Sequence, residues 1–178
     1  MQPIKVVVTG PFGAGKTEFI KTISEIDPVT TERKITVPQQ RELKAETTVA
    51  MDFGRITIKK DVLLELYGTP GQSRFDFMFD ILSEGMWGFV VMVDSTDRQS
   101  FQATRDTLNL FDRLSPVPRV IAANKQDVEG AVLPEQLRKA LKLPPSVRVL
   151  PCVATDRGSV RQVLLGLLSS MLEMQRVP

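Results

Sequence analysis

The stretch Gly10-Pro11-Phe12-Gly13-Ala14-Gly15-Lys16-Thr17 brings three glycines, one lysine and one side-chain hydroxyl together in a short span. The apolar run before it, residues 4–8, reads as a buried strand, and residues 18–23 after it read as the first turns of a helix. In that setting the backbone N–H groups of Gly10, Phe12, Gly13, Ala14 and Gly15 can converge on an anion. The helix N-terminus adds a partial positive charge. Lys16 then reaches the β- and γ-phosphates of a nucleotide, and the Thr17 hydroxyl coordinates Mg²⁺. A plain glycine-rich turn is the alternative. The strand before it and the helix after it favour the phosphate cradle.

A phosphate cradle alone does not separate kinases, ATPases and GTPases, so the base reader decides. Asn124-Lys125-Gln126-Asp127 directly follows the apolar run 120–123, which places it at a strand tip. A carboxylate at Asp127 can accept from the N1–H and the exocyclic amine of guanine, a donor pair that adenine lacks. Asn124 can bridge N7 and the phosphate loop, and the Lys125 stem can lie across the base. Cys152-Val153-Ala154-Thr155 ends the last strand, where the Ala154 N–H can meet guanine O6 with Val153 and Thr155 beside it. An ATP-dependent P-loop kinase is the competing reading, and the run from Asn124 to Asp127 argues against it.

The elements that must position these residues alternate. Residues 49–58 and 62–67 read as a strand pair turned at 59–61, with a bulge at Gly54 where the apolar phase changes. Further strands are expected at 89–93, 120–123 and 147–153. Helices open near Thr96 with Phe101, Thr104, Leu108 and Phe111 inward, at Pro134 with Leu137, Ala140 and Leu141 inward, and near Ser159 with a stripe through Val160, Val163, Leu164, Leu167, Leu168 and Met171. Residues 27–47 are polar and read as a long functional loop. The pattern is an α/β domain, a six-stranded, mostly parallel sheet with helices on both faces, as a single unit over 1–178. Ligands of such sheets bind beyond the carboxyl ends of the strands.

Composition narrows the chemistry. The 178 residues are 42% hydrophobic and 25% charged, with a net charge of +2, one cysteine and no histidine. So small a charge gives no reason to invoke nucleic acid or an anionic membrane. Cys152 alone forms no intrachain disulfide and suits a reducing, cytoplasmic setting. Without histidine, catalysis must rest on positioning, backbone dipoles, carboxylates, Lys, Arg and a metal. No signal peptide or membrane span is visible. Gln2 bars N-myristoylation and the closing Gln175-Arg176-Val177-Pro178 has no cysteine to prenylate, so no intrinsic membrane anchor is expected.

Taken in order, Gly10 to Thr17, Thr48-Val49-Ala50-Met51-Asp52-Phe53, Thr69-Pro70-Gly71-Gln72-Ser73-Arg74-Phe75, Asn124 to Asp127 and Ala154 resemble a Ras-superfamily small GTPase. Gly85-Met86-Trp87-Gly88-Phe89-Val90-Val91 with Asp94-Ser95-Thr96 resembles Rab-type members. The resemblance implies a Ras-like G domain with switch I at about 27–48 and switch II at about 68–80. It makes Thr48 the switch I ligand of Mg²⁺ and the γ-phosphate, Gly71 the γ-phosphate sensor and Gln72 the residue that positions water. Catalysis would then rest on Lys16, Thr48 and Gln72. Two departures stand out. Gly68 replaces the aspartate that holds a Mg²⁺-bound water, and Phe12 replaces a loop glycine beside the γ-phosphate. With the absent lipid tail, Gly68 resembles the bacterial MglA-like branch, which implies Roadblock-type activating partners, an effector and a role in motility or polarity. A crowded Phe12 makes an arginine from within the chain attractive, with Arg33 and Arg41 ahead of Arg74. The implied activity is a monomeric GTP switch with slow hydrolysis; a GTP-binding scaffold that scarcely hydrolyses is the alternative.

Overall fold

The computed structural model describes residues 3–27, 29–37, 45–59, 62–70 and 78–176. The expected turn at 59–61 lies largely outside them. All six expected strands are present: β1 (Ile4–Thr9), β3 (Ala45–Lys59), β4 (Val62–Gly68), β5 (Gly88–Asp94), β6 (Arg119–Asn124) and β7 (Arg148–Pro151). A seventh, β2 (Val29–Val37), extends the sheet to the order β2-β3-β4-β1-β5-β6-β7. Only β2–β3 and β3–β4 are antiparallel. The rest of the sheet is parallel.

β2 corrects the expectation of an irregular loop over 27–47. Its residues Val29-Thr-Thr-Glu-Arg-Lys-Ile-Thr-Val37 are rich in β-branched types yet mostly polar, as suits an edge strand that needs no apolar stripe. The bulge expected at Gly54 is also corrected. Gly54 pairs regularly with Leu66, and the register slips between Thr57 and Lys59 instead. Glycine stands at 54 because the first helix, α1 (Lys16–Ile23), packs there: an added Cβ would lie 2.6 Å from Ile20 Cγ2.

Alternation along the parallel strands divides the core in two. Val6, Val8, Val90, Met92, Val120 and Ala122 face α1 and the last helix, α5 (Arg157–Met174). Val7, Phe89, Val91, Val93, Ile121 and Ala123 face the opposite side. That side is covered by α2 (Met78–Ser83), α3 (Phe101–Leu114) and α4 (Pro134–Ala140). α3 follows a single 3-10 turn, Arg98–Ser100, and buries Phe101, Thr104, Leu108 and Phe111 as its spacing predicts. The Phe111 ring stacks on Phe89 at 4.9 Å and tilts against Phe79 of α2 at 5.2 Å. Each such pair adds about 0.5–1.5 kcal/mol to the gain from burial. Of the stripe expected for α4, Leu137 and Leu141 just beyond its end are buried, while Ala140 is exposed. α2 was not foreseen: at six residues it is too short to show a period.

Candidate functional site: a glycine-rich loop clasped to the segment after β7

β1 and α1 are joined by Gly10–Thr17, at the carboxyl edge of the sheet where the chain order departs to both sides of β1. The loop bends through Gly10, Gly13 and Gly15 at φ of 140°, 78° and 97°, which only glycine adopts without strain. Gly10 also runs against β5, since a Cβ there would meet the Met92 carbonyl oxygen at 2.3 Å. Lys16 is 8% exposed and folds back over the loop, donating to the carbonyls of Gly10 at 2.7 Å and Pro11 at 2.8 Å. An ammonium has three donors, so one N–H remains for a phosphate oxygen. Burial pushes the Lys16 ammonium down to about 8, only partly countered by the carboxylate of Asp52. Phe12 is 78% exposed: its ring stands out in solvent.

Asn124, at the end of β6, ties this cradle to the segment after β7. Its Nδ2 donates to the Ala14 carbonyl at 2.9 Å, and its Oδ1 accepts from the Ala154 N–H at 2.9 Å. Gly15 makes room for the amide, because a Cβ there would lie 2.4 Å from Nδ2. A guanine O6 would therefore share the Ala154 N–H with Asn124. Lys125 adopts a positive φ of 64° and places Nζ 2.5 Å from Asp94 Oδ2. Burial would raise the Asp94 carboxyl, but hydrogen bonds from Lys125 and from the side chain and N–H of Thr96 outweigh it and hold it below the usual carboxylate range. The Lys125 stem is thus fixed from its far end. Gln126 points inward, donating through Nε2 to Ser95 Oγ and the Val132 carbonyl, both at 3.0 Å. Asp127 is exposed at the rim. Beyond β7, the Val153 N–H donates to Ser159 Oγ at 2.8 Å, Ala154 is buried and Thr155 is exposed.

The surroundings of Thr17 and Thr48, the expected metal ligands, are described in part. The Thr17 hydroxyl donates to Asp52 Oδ2 at 2.5 Å. Thr48 lies in β3, four residues before Asp52. Thr69, just past β4, is bound to β1 through its N–H to the Val8 carbonyl at 2.9 Å and its hydroxyl to Thr9 Oγ1 at 3.0 Å. Gly71, Gln72, Arg41 and Arg74 lie outside the described residues, and Arg33 is in β2, opposite Val49. The structure therefore gathers Gly10–Thr17, Asn124, Lys125, Asp127 and 153–155 along one sheet edge. It adds Asp52 and Asp94, which sequence reasoning passed over. Each had a signal: Asp52 is the one charge in Val49-Ala50-Met51-Asp52-Phe53, and Asp94 ends the apolar strand 89–93.

A family model described as "conserved hypothetical ATP binding protein" matches residues 8–174. The chain belongs to that family. The match takes in both halves of the site, from the cradle to Thr155. This family member is also similar to Ras-related proteins of plants. It is 26% identical to RABD2a of Arabidopsis thaliana over 133 residues, 71% of this chain and 66% of that protein. It is 29% identical to RIC1 of Oryza sativa subsp. japonica over 125 residues, 67% of this chain and 62% of that protein. The chain thus spans less than two thirds of the length of these plant relatives. The uncharacterized protein MJ1339 of Methanocaldococcus jannaschii is 32% identical over 125 residues, 70% of this chain and 71% of that protein. Among the described residues, no helix of this family member is long and apolar enough to cross a membrane.

Proposed function

We propose that the protein is a guanine-nucleotide switch that binds GTP with Mg²⁺ and hydrolyses it slowly to GDP and phosphate. The observation that carries this reading is Asn124. Its amide joins the carbonyl of the phosphate cradle to the backbone beside Ala154. One side chain thereby makes a single site of a polyphosphate cradle and a loop whose exposed carboxylate, Asp127, suits the donor pair of guanine. A maize relative, 25% identical over 131 residues, carries the name "GTP-binding protein YPTM2", which supports the same base. The family's description names ATP instead, and that is the rival. Displacement of a fluorescent GDP by unlabelled nucleotides tests the choice. GTP and GDP should compete at least about a hundredfold better than ATP and ADP; tighter binding of ATP overturns the reading.

Thr17 and Thr48 would hold Mg²⁺, which when bound neutralises charge on the β- and γ-phosphate oxygens. The donor chemistry fits: a helix-start hydroxyl beside a carboxylate is an all-oxygen setting of the kind this ion takes. Lys16 places its remaining N–H on the phosphates, and Gln72 orients the attacking water. Phosphoryl transfer rests on positioning and charge stabilisation, so no histidine is required. Residues 27–48 and 68–80 respond to the γ-phosphate through Thr48 and Gly71, and hydrolysis releases them. Turnover is slow until an arginine, from Arg33, Arg41, Arg74 or a partner, enters the site. Such a group is worth on the order of 10³–10⁵ in rate. Within the superfamily, Gly68 supports an MglA-like protein working in the cytoplasm as a monomer with a Roadblock-type activator and an effector, in polarity or motility. Gln72→Leu should leave GTP binding intact and abolish partner-stimulated hydrolysis; stimulated turnover unaltered by that change removes Gln72 from its role. Gly68 also favours the rival scaffold reading, and absence of phosphate release in single turnover, with or without partner, would establish it.

A further inference from the structure

At the amino end of β6 lies a cavity that takes no part in the nucleotide reading. Arg119 opens the strand that Asn124 ends, so the cavity sits about 16 Å along β6 from the clasp, at the opposite edge of the sheet. It encloses about 250 Å³ between α3, the start of β6 and the turn after α4. Leu108, Leu141, Leu143 and Pro144 give it an apolar wall, while Arg105, Arg119, Lys142 and Asp112 give it charge. Three cations meet one carboxylate there, which leaves the lining at +2, as much as the whole chain carries.

Two features set these cations apart from ordinary supports of the fold. Asp112 Oδ1 lies 2.7 Å from Arg119 Nη1, but both side chains are part-exposed, and such a pair braces a structure weakly. The buried Arg119 Nε has no hydrogen-bond partner among the described residues, so the guanidinium is used on only part of its edge. Lys142 stands just past α4 at a positive φ of 54°. Its N–H donates to the Lys139 carbonyl at 3.1 Å and the Leu143 N–H to the Arg138 carbonyl at 3.0 Å, the helix-ending turn in which glycine is the usual residue. A Cβ there is strained, so lysine holds the position at a cost in stability. The turn itself is braced. Arg138 Nη1 donates to the carbonyls of Pro144 at 3.0 Å and Val147 at 2.8 Å, and Arg105 Nη1 reaches the Ala140 carbonyl at 3.5 Å. The cavity is therefore formed in advance of any ligand.

We infer that this cavity binds a small organic anion, a carboxylate or phosphate head on a short apolar body. The planar fork of Arg119 suits two oxygens of such a head, Arg105 and Lys142 add charge beside it, and the leucines receive the body. The volume lies just under the roughly 300–1,000 Å³ of drug-sized pockets, so the ligand is compact. An extended peptide fits less well. Adding a strand needs a free sheet edge, and β6 is paired on both sides, by β5 and β7.

Benzoate and phenyl phosphate, titrated into the isotope-labelled full chain and followed by amide NMR, test this, with benzamide as the neutral control. Shifts should gather on residues 105–112, Arg119 and 141–144 and saturate at low millimolar concentration, and the head that saturates at the lower concentration names the class. Arg119→Gln should weaken that binding about tenfold or more, the loss expected when a charged hydrogen bond is removed. Lys142→Gly should weaken it severalfold while raising Tm by about 2–4 °C, because glycine relieves the turn. A variant that is more stable yet binds less well cannot be explained by damage to the fold. If neither anion saturates at those residues, or benzamide does so equally well, the inference is overturned. An affinity unchanged in either variant overturns it too. The outcome does not depend on which nucleotide the glycine-rich loop takes.

Discussion

Replacing Asn124 with Ala should unfold more than a base contact. Its amide is 3% exposed and makes two buried hydrogen bonds, to the Ala14 carbonyl and from the Ala154 N–H, across segments 140 residues apart in sequence. Truncation leaves both backbone groups without their partner, and an unsatisfied buried group costs about 1–3 kcal/mol. Gly13 and Thr155 beside them are exposed, so water can reach part of the gap and the lower half of the range applies. The expected loss is about 2–4 kcal/mol in the nucleotide-free protein. For a chain of this size that lowers Tm by roughly 5–15 °C. Urea unfolding followed by circular dichroism, without nucleotide, measures it, with an unchanged m-value as the sign that the same surface unfolds. Asp127→Ala is the comparison, because Asp127 is exposed and its removal should shift stability by no more than about 0.5 kcal/mol. Both variants should lose guanine-nucleotide affinity, but only the first should lose stability. A destabilisation by Asn124→Ala below about 1 kcal/mol would refute the clasp.

The Lys16 ammonium, lowered to about 8 by burial, makes phosphate binding sensitive to mildly alkaline pH. Bound phosphates favour the charged form, so binding takes up a proton above that value. The charged fraction falls from about 0.9 at about pH 7 to about 0.24 at about pH 8.5, and affinity should fall about fourfold with it. Calorimetry in buffers of different ionisation enthalpy reads the proton uptake; flat affinity and no uptake would contradict the lowered ammonium. Cys152 is fully buried, and desolvation pushes its thiol up to about 12. It should therefore resist a disulfide reagent in the native protein and react once in denaturant, and rapid native labelling would contradict its burial.

Both halves of the site could be read in the chain because each is a local pattern at a strand end. The glycines from 10 to 15 and the run from Asn124 to Asp127 need only their own flanking elements to take shape. β2 escaped because an edge strand does not need an apolar stripe, and its residues are mostly polar. Asp52 escaped for another reason. Its partner Thr17 is 35 positions away, and the contact exists only because α1 lies across β3. The same is true of Asp94, whose ion pair with Lys125 spans 31 positions. Gly54 misled because a glycine in a strand has two explanations, a bulge or a close neighbour, and only packing separates them.

The contact at Gly54 sets a tolerance. Ile20 lies one helical turn beyond Thr17, and Gly54 lies two residues beyond Asp52 on the same strand. The helix therefore rests on bare backbone almost directly beneath the Thr17–Asp52 contact. A single methyl at 54 would begin 2.6 Å from Ile20 Cγ2, so α1 would have to retreat by roughly 1 Å to regain ordinary van der Waals separation. That retreat is enough to break a 2.5 Å hydrogen bond. The spacing between Thr17 and Asp52 is thus fixed by a residue that offers no polar group of its own, a missing side chain two positions along the same strand.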